Sequence, residues 1–303
     1  MTVYVARKKI KLQGRWTGQW ADLLYAFLNR RVAVAGAVVF VAIIFIAITA
    51  QWIAPHDPTN QELDDTLLPP SWEAGGVAKY LLGTDHFGRD MLSRLLYGAR
   101  VSLTVAGFGA FFALVIGVTI GLIAGFYGGR IETLLMRIVD VFLAFPLTLL
   151  ALALAAILGP NLRNLILVMG LTGWMIYARV IRSAVITLKD SEFVTAAIAV
   201  GAPTQRILLQ HILPNIMAPA LVLLTFGFAQ FIILESALSF LGLGVPPPTP
   251  TWGRMLYDGR DYLTIAWWII TFPGLCIMLT SLSLNLVGDG LRDALDPRLR
   301  RMA

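Results

Sequence analysis

Residues 192–214 read EFVTAAIAVGAPTQRILLQHILP. This is the longest water-compatible segment between two strongly apolar runs, and its local grammar is helical. Asp190 or Ser191 can cap a first helix, with Glu192 at its positive end. Phe193, Ala196, Ala197 and Val200 then share one face, and the adjacent alanines leave it smooth enough for close approach. Gly201 ends that helix at low conformational cost. Pro203 opens a second short helix, which Pro214 is expected to end. The stretch therefore reads as a helix–turn–helix elbow whose smooth face calls for a partner.

The sequence on either side places the elbow in a membrane protein. Hydrophobic residues make up 57% of the 303 residues and charged ones 14%, outside the range of soluble globular chains. The apolar residues come in blocks long enough to cross roughly 30 Å of hydrocarbon. Six such runs stand near Val32–Ile53, Leu103–Phe126, Val139–Leu158, Leu165–Val180, Ile216–Leu241 and Ile265–Val287. Unbroken runs of this length exclude a barrel and predict an all-α integral membrane protein with six transmembrane helices. The first run is too long for a signal peptide, follows some thirty residues and lacks a cleavage site behind it. Cys276 is the one cysteine, so no internal disulfide forms.

Charge sets the expected orientation. Arg7, Lys8, Lys9, Lys11, Arg15, Arg30 and Arg31 all precede the first run, whereas residues 54–100 hold seven acids against four bases. The positive-inside rule then puts both termini and the elbow in the cytoplasm and 54–100 outside. The net charge of +6 is a topology signal. No basic stripe with interleaved aromatics suggests a nucleic-acid partner. The chain divides into a basic leader with an interfacial helix (1–31), the first span with its outer loop (32–100), a transmembrane domain (101–291) holding the loop 192–214, and a polar tail (292–303). Within the leader, Trp20, Leu23, Leu24, Phe27 and Leu28 share a helical face suited to membrane lipid.

The outer loop begins irregularly at Pro55, Pro58, Pro69 and Pro70. From Leu82 it reads LGTDHFGRDMLSRLLYGARVSL, with a short amphipathic helix expected and Asp90 spaced to pair with Arg94. His86 beside Asp85 and Asp90 has the composition of ordinary polar packing, and no metal is assigned there. In the second span Gly109, Ala113, Gly117, Gly121 and Gly125 share a face, for sliding or for static packing against another helix. Glu235 lies inside the fifth span, where an ionisable group lines a polar path or is a buried structural carboxyl. Val245 to Trp252 is a stiff Pro-rich loop. Trp252, Tyr257, Tyr262, Trp267 and Trp268 are expected to form an aromatic belt.

No catalytic site emerges. The sequence has no GxxxxGK[ST] nucleotide loop, no HExxH and no GxSxG elbow. Tyr257-Asp258 and Gly288-Asp289 faintly resemble the paired motifs of intramembrane aspartyl proteases. Topology puts the two aspartates on opposite sides of the membrane, where they cannot share a proton. The reading is of a protein without covalent chemistry or a bound cofactor.

The spacing of the elbow resembles the EAA loop of ABC-importer permeases, which runs EAA, three residues, Gly, nine residues, then IxLP. Here the stretch is Thr195-Ala196-Ala197, three residues, Gly201, nine residues, and His211-Ile212-Leu213-Pro214. Thr195 stands where Glu is usual and His211 where Ile is usual, and the ending HILPN is similar to the peptide-importer branch. LGTDHFGRD with SRLLYGAR, GWMIYARVIRS and LSFLGLGVPPPTPTWG resemble the dipeptide/oligopeptide/nickel permeases, in their C-type subunit. The resemblance covers about Leu82 to the C-terminus. It implies the type I importer permease fold and a homologous permease as heterodimer partner. It also implies two cytoplasmic ATPase subunits that use ATP and Mg, and an extracytoplasmic solute-binding protein. Thr195, Ala196, Ala197, Gly201, Pro203, His211, Leu213 and Pro214 would then form the ATPase-coupling loop. Peptides, nickel chelates or glutathione are the implied cargo. An ATP-independent channel or secondary transporter is the competing class.

Overall fold

The computed structural model describes residues 24–295. The basic leader, part of the expected interfacial helix and residues 296–303 of the tail lie outside the described residues. The main helices are α1 (Arg31–Ile53), α2 (Met91–Tyr127), α3 (Gly129–Leu143), α4 (Leu147–Leu158), α5 (Leu162–Lys189), α6 (Glu192–Ala199), α7 (Thr204–Phe240), α8 (Trp252–Gly259) and α9 (Trp268–Leu295). Five of them are long and apolar enough to cross a membrane. The pair α3 and α4, which meet at an 86° bend, is together long and apolar enough to count as a sixth candidate crossing.

The core is built around α2 and α5, which share the largest helix–helix interface; α7 lies against α2 and α9, and α1 against α9 and α2. The small-residue face of α2 makes the α2–α5 approach possible. A Cβ at Gly109 would lie 2.6 Å from Met169 Cβ, one at Gly121 2.6 Å from the Ala178 carbonyl, and one at Gly125 2.8 Å from Val185 Cβ. Between apolar helices in lipid, contact at this range comes from dispersion, which needs backbones close together.

Three local expectations fail for physical reasons. First, the short helix after Leu82 is not separate: α2 begins at Met91 and runs unbroken for 37 residues. Second, Asp90 does not pair with Arg94. It caps α2, accepting from Ser93 N at 2.9 Å and Ser93 Oγ at 2.6 Å. Arg94 turns instead to Asp85 and Asp258, both 3.4 Å away. Asp258 also receives Arg89 at 3.3 Å and Arg254 at 2.9 Å, so one buried carboxylate ties the outer loop to α8. Third, Trp252 and Trp268 do not belong to a belt. Both are buried, and their indole N–H groups donate to Leu95 O at 3.1 Å and Thr84 O at 2.9 Å. Trp267 is 39% exposed and donates to Glu73 Oε1 at 3.0 Å.

Asp85, His86 and Asp90 are each engaged in polar or ring contacts. Asp85 accepts from Arg89 Nε at 2.7 Å, and His86 stacks on Tyr262 with ring centroids 5.2 Å apart. Among the described residues no group of three His, Cys, Asp or Glu side chains is placed to hold a metal.

Candidate functional site

The elbow stands at one end of the bundle, between α5 and α7. Ser191 is the N-cap residue of α6 in extended conformation, and the Thr195 hydroxyl donates back to the Ser191 carbonyl at 3.1 Å. Val194 is fully buried and anchors α6 on the core. Phe193, Ala196 and Val200 face outward, and Val200 is 83% exposed; Ala197, expected on that face, is instead half-buried against the core.

The stop of α6 is a two-bond lock. Gly201 N donates to Ile198 O and Ala202 N to Ala197 O, each at 3.0 Å, with Gly201 at φ +76°. This pairing satisfies the last carbonyls of the helix and requires one residue in the left-handed region. A Cβ at Gly201 would meet nothing within 4 Å. The glycine is needed for its backbone, not for space.

Pro203 caps the next helix, its carbonyl accepting from Arg206 N at 2.9 Å. Contrary to the sequence reading, Pro214 does not end that helix. The segment Ile207–Ile212 is a π-helical turn in which Leu213 N reaches back five residues to Leu208 O. A regular α-turn would drive the Pro214 ring into the Gln210 carbonyl; the wider turn moves that carbonyl aside, and α7 continues to Phe240. Asn215 Nδ2 donates to His211 O at 2.6 Å, giving one carbonyl of this turn a partner. The elbow is thus fused directly to a transmembrane helix.

Both ends are held. Ile207 and Ile212 are buried, while His211, Leu213 and Pro214 are half-buried beside them. On the other side Lys189 Nζ donates to Phe126 O at 2.7 Å, placing a cation on the last turn of α2. Between these anchors Phe193, Ile198, Val200 and Leu209 are 44%, 50%, 83% and 60% exposed. These side chains form an apolar surface on a fixed frame.

Glu235 sits apart, twenty-one residues beyond Pro214 on α7 and so about 31 Å along its axis. It is fully buried. Ser239 Oγ donates to Oε1 at 2.7 Å and Ser102 Oγ to Oε2 at 3.2 Å, while Ser102 Oγ accepts from Trp252 N at 3.2 Å. These bonds gather α2, α7 and α8 around one carboxyl group. Two further ion pairs had no place in the sequence reading, Glu132 with Arg182 and Asp140 with Arg179. Their signal was available as Glu132 and Asp140 eight residues apart and Arg179 and Arg182 three apart, each set on one helical face.

Comparison with known proteins agrees with this architecture. Residues 117–301 match the family described as binding-protein-dependent transport system inner membrane component, and residues 18–70 match the N-terminal TM domain of oligopeptide transport permease C. The chain is 47% identical over 278 residues to the di/tripeptide transport system permease protein DppC of Pseudomonas aeruginosa, covering 92% of each. It is 48% identical over 280 residues to the dipeptide transport system permease protein DppC of Escherichia coli K12, covering 92% of this chain and 93% of that one. Among solved structures, an inward-facing MetNI methionine ABC transporter chain superposes with a TM-score of 0.54 at 18% identity, over 68% of this chain and 98% of that chain. That likeness concerns the fold alone. The chain belongs to the family of binding-protein-dependent transport system inner membrane components, the multi-pass permease subunits of ABC importers, in the branch carrying the oligopeptide permease C N-terminal domain.

Proposed function

We propose that this chain is one of two homologous permease subunits of an ATP-driven importer of short peptides. The elbow is its coupling element. In this reading the termini and elbow face the cytoplasm, and two ATPase subunits receive the elbows of the permease pair. An extracytoplasmic binding protein delivers the peptide to the opposite face. ATP and Mg bind to the ATPases, and this chain carries out no covalent step. The peptide cargo rests on the names of the relatives at 47–48% identity.

The observation that carries the mechanism is the pairing of exposed apolar tip and rigid mount. Val200 stands 83% exposed on a helix whose neighbour Val194 is fully buried. The outgoing arm is the first part of α7 itself, which runs on through the π-turn as one helix. When the ATPases close on ATP, a force on α6 passes through the Gly201 lock into α7 as a rigid displacement. Alternating access then follows from moving helices against one another rather than from opening a continuous pore. Glu235, at the far end of α7, acts as a buried tie that keeps α2, α7 and α8 moving together. Thr195 carries no charge and spends its hydroxyl on Ser191, so contact at this position relies on the apolar side chains beside it.

Co-purification tests the assembly. The solubilised chain, co-expressed with its genetic neighbours, is expected to bring down a second permease and an ATPase. Repeated recovery of this chain without an ATPase would overturn the reading and favour a channel or secondary transporter.

A further inference from the structure

Helix α3 carries two stripes. Gly129, Glu132, Thr133, Met136 and Asp140 recur at three- and four-residue intervals and line a cleft of about 490 Å³ shared with Arg179 and Arg182 of α5. On the opposite side Ile131, Leu134, Ile138 and Val141 are all exposed, Leu134 at 63%. One stripe is suited to lipid and the other to water. In the polar stripe Arg182 pairs with Glu132 and Arg179 with Asp140, and the latter two side chains are 54% and 53% exposed.

The depth of these charges matters. Helix α5 has 28 residues, about 42 Å, and extends roughly 6 Å beyond each side of a ~30 Å hydrocarbon layer when centred on it. Arg179 lies ten residues from Lys189, hence about 15 Å from that end and about 9 Å inside the layer. An ionised side chain at that depth faces protein or water rather than lipid. Helix α4, with 12 residues, is only about 18 Å long and cannot cross the layer alone. The 86° bend between α3 and α4 turns α3 away from the line of α4, which stays packed on α5. It leaves a wedge with α5 as its wall and the polar stripe of α3 as its floor.

We propose that this wedge is the elbow-side vestibule of the solute passage and a transient site for a zwitterion. Arg179 and Arg182 take the carboxylate end of a short peptide, and Glu132 and Asp140 take its ammonium end. Each ion pair surrendered within the cleft is replaced by one to the peptide. The Arg179–Asp140 pair, half-exposed on both sides, is weakly held and opens readily to the peptide; the Arg182–Glu132 pair, 32% and 23% exposed, is the firmer of the two. The assignment rests on the peptide-importer reading above.

The test uses the complete transporter in nanodiscs, without binding protein, in a Cys276→Ser background. Thr133→Cys lies on the polar stripe and Leu134→Cys on the apolar one. A membrane-impermeant methanethiosulfonate is expected to modify Thr133→Cys several-fold faster than Leu134→Cys. Millimolar dialanine should slow that reaction several-fold, whereas N-acetyl-dialanine amide, which has no charged ends, should leave it unchanged. Neutralising one pair with Asp140→Asn and Arg179→Gln should abolish the protection. The proposal is overturned if both cysteines react alike, if dialanine gives no protection, or if the capped peptide protects equally. Uptake of dialanine by the unmodified assembly with its binding protein is read in parallel. Uptake with a negative labelling result removes only the vestibule, while an assembled transporter that imports no peptide removes the parent reading.

Discussion

The Ala202 amide donates to the Ala197 carbonyl across Gly201 at 3.0 Å, so the turn between α6 and α7 is closed by a backbone bond. The elbow is therefore a stiff bracket. Gly201→Ala has room for its methyl group but holds it in the left-handed region, costing about 1–2 kcal/mol. Gly201→Pro cannot adopt φ +76° and loses the bond to Ile198. Membrane insertion should survive in both variants. Peptide uptake and uptake-linked ATP hydrolysis should be largely kept by the alanine variant and lost by the proline variant, as measured in proteoliposomes. Normal uptake by the proline variant would contradict a rigid bracket.

Glu235→Ala removes the acceptor shared by Ser102 and Ser239 and opens a buried void. The expected destabilisation is about 2–4 kcal/mol, seen as a lower melting temperature of the purified assembly. Glu235→Gln keeps one acceptor oxygen and should lose no more than about 1 kcal/mol, with uptake near normal. A glutamine variant that stays stable but does not transport would move Glu235 from a structural tie to the peptide path.

Close packing of α2 on α5 gives a third expectation. Gly121→Leu places atoms where the Ala178 carbonyl and the Ile181 Cβ already stand, at 2.6 and 2.9 Å from a Cβ. Overpacking of this kind costs about 1–3 kcal/mol. Leu134→Ala, on the exposed stripe of α3, should change the melting temperature little.

His86 gives the outer loop a pH dependence. Burial pushes its imidazole below the ordinary value, against the opposing pull of Asp85 and Asp258, while Arg89 and Arg94 add to the lowering. The folded state thus binds the proton less readily than the unfolded one. Stability is fully present above the unfolded pKa of about 6.5 and falls as the pH drops below it. Comparing melting temperatures near about pH 7.5 and about pH 5.5, His86→Phe should shrink the acid-induced drop. An unchanged drop would place the acid sensitivity elsewhere.

Much of this architecture was legible in the sequence because lipid leaves few choices. The span at Val32–Ile53, the small-residue face of α2, and the elbow with its glycine stop follow from hydropathy, spacing and turn chemistry. What escaped depended on where side chains find partners. Trp252 and Trp268 have the composition of interfacial anchors, yet each finds a backbone carbonyl inside the fold. Asp90 has helical spacing to Arg94, yet a cap position points its carboxylate at Ser93. Pro214 looks like a terminator because a regular α-turn cannot hold it, and hydropathy does not register a π-turn. Asp140 and Arg179 fell at the edges of apolar windows, so the cleft they share was invisible until the bend at residues 144–146 was known.

Docking of the elbow is the central claim, and Val200 tests it most directly. A photo-crosslinking amino acid replaces Val200 in the assembled transporter, with Leu134 replaced in parallel as a lipid-facing control. On irradiation, position 200 should form an adduct with the ATPase subunit, with a yield that changes when ATP is bound, and position 134 should form none. No ATPase adduct from position 200 in a transporter that imports peptide would contradict the account.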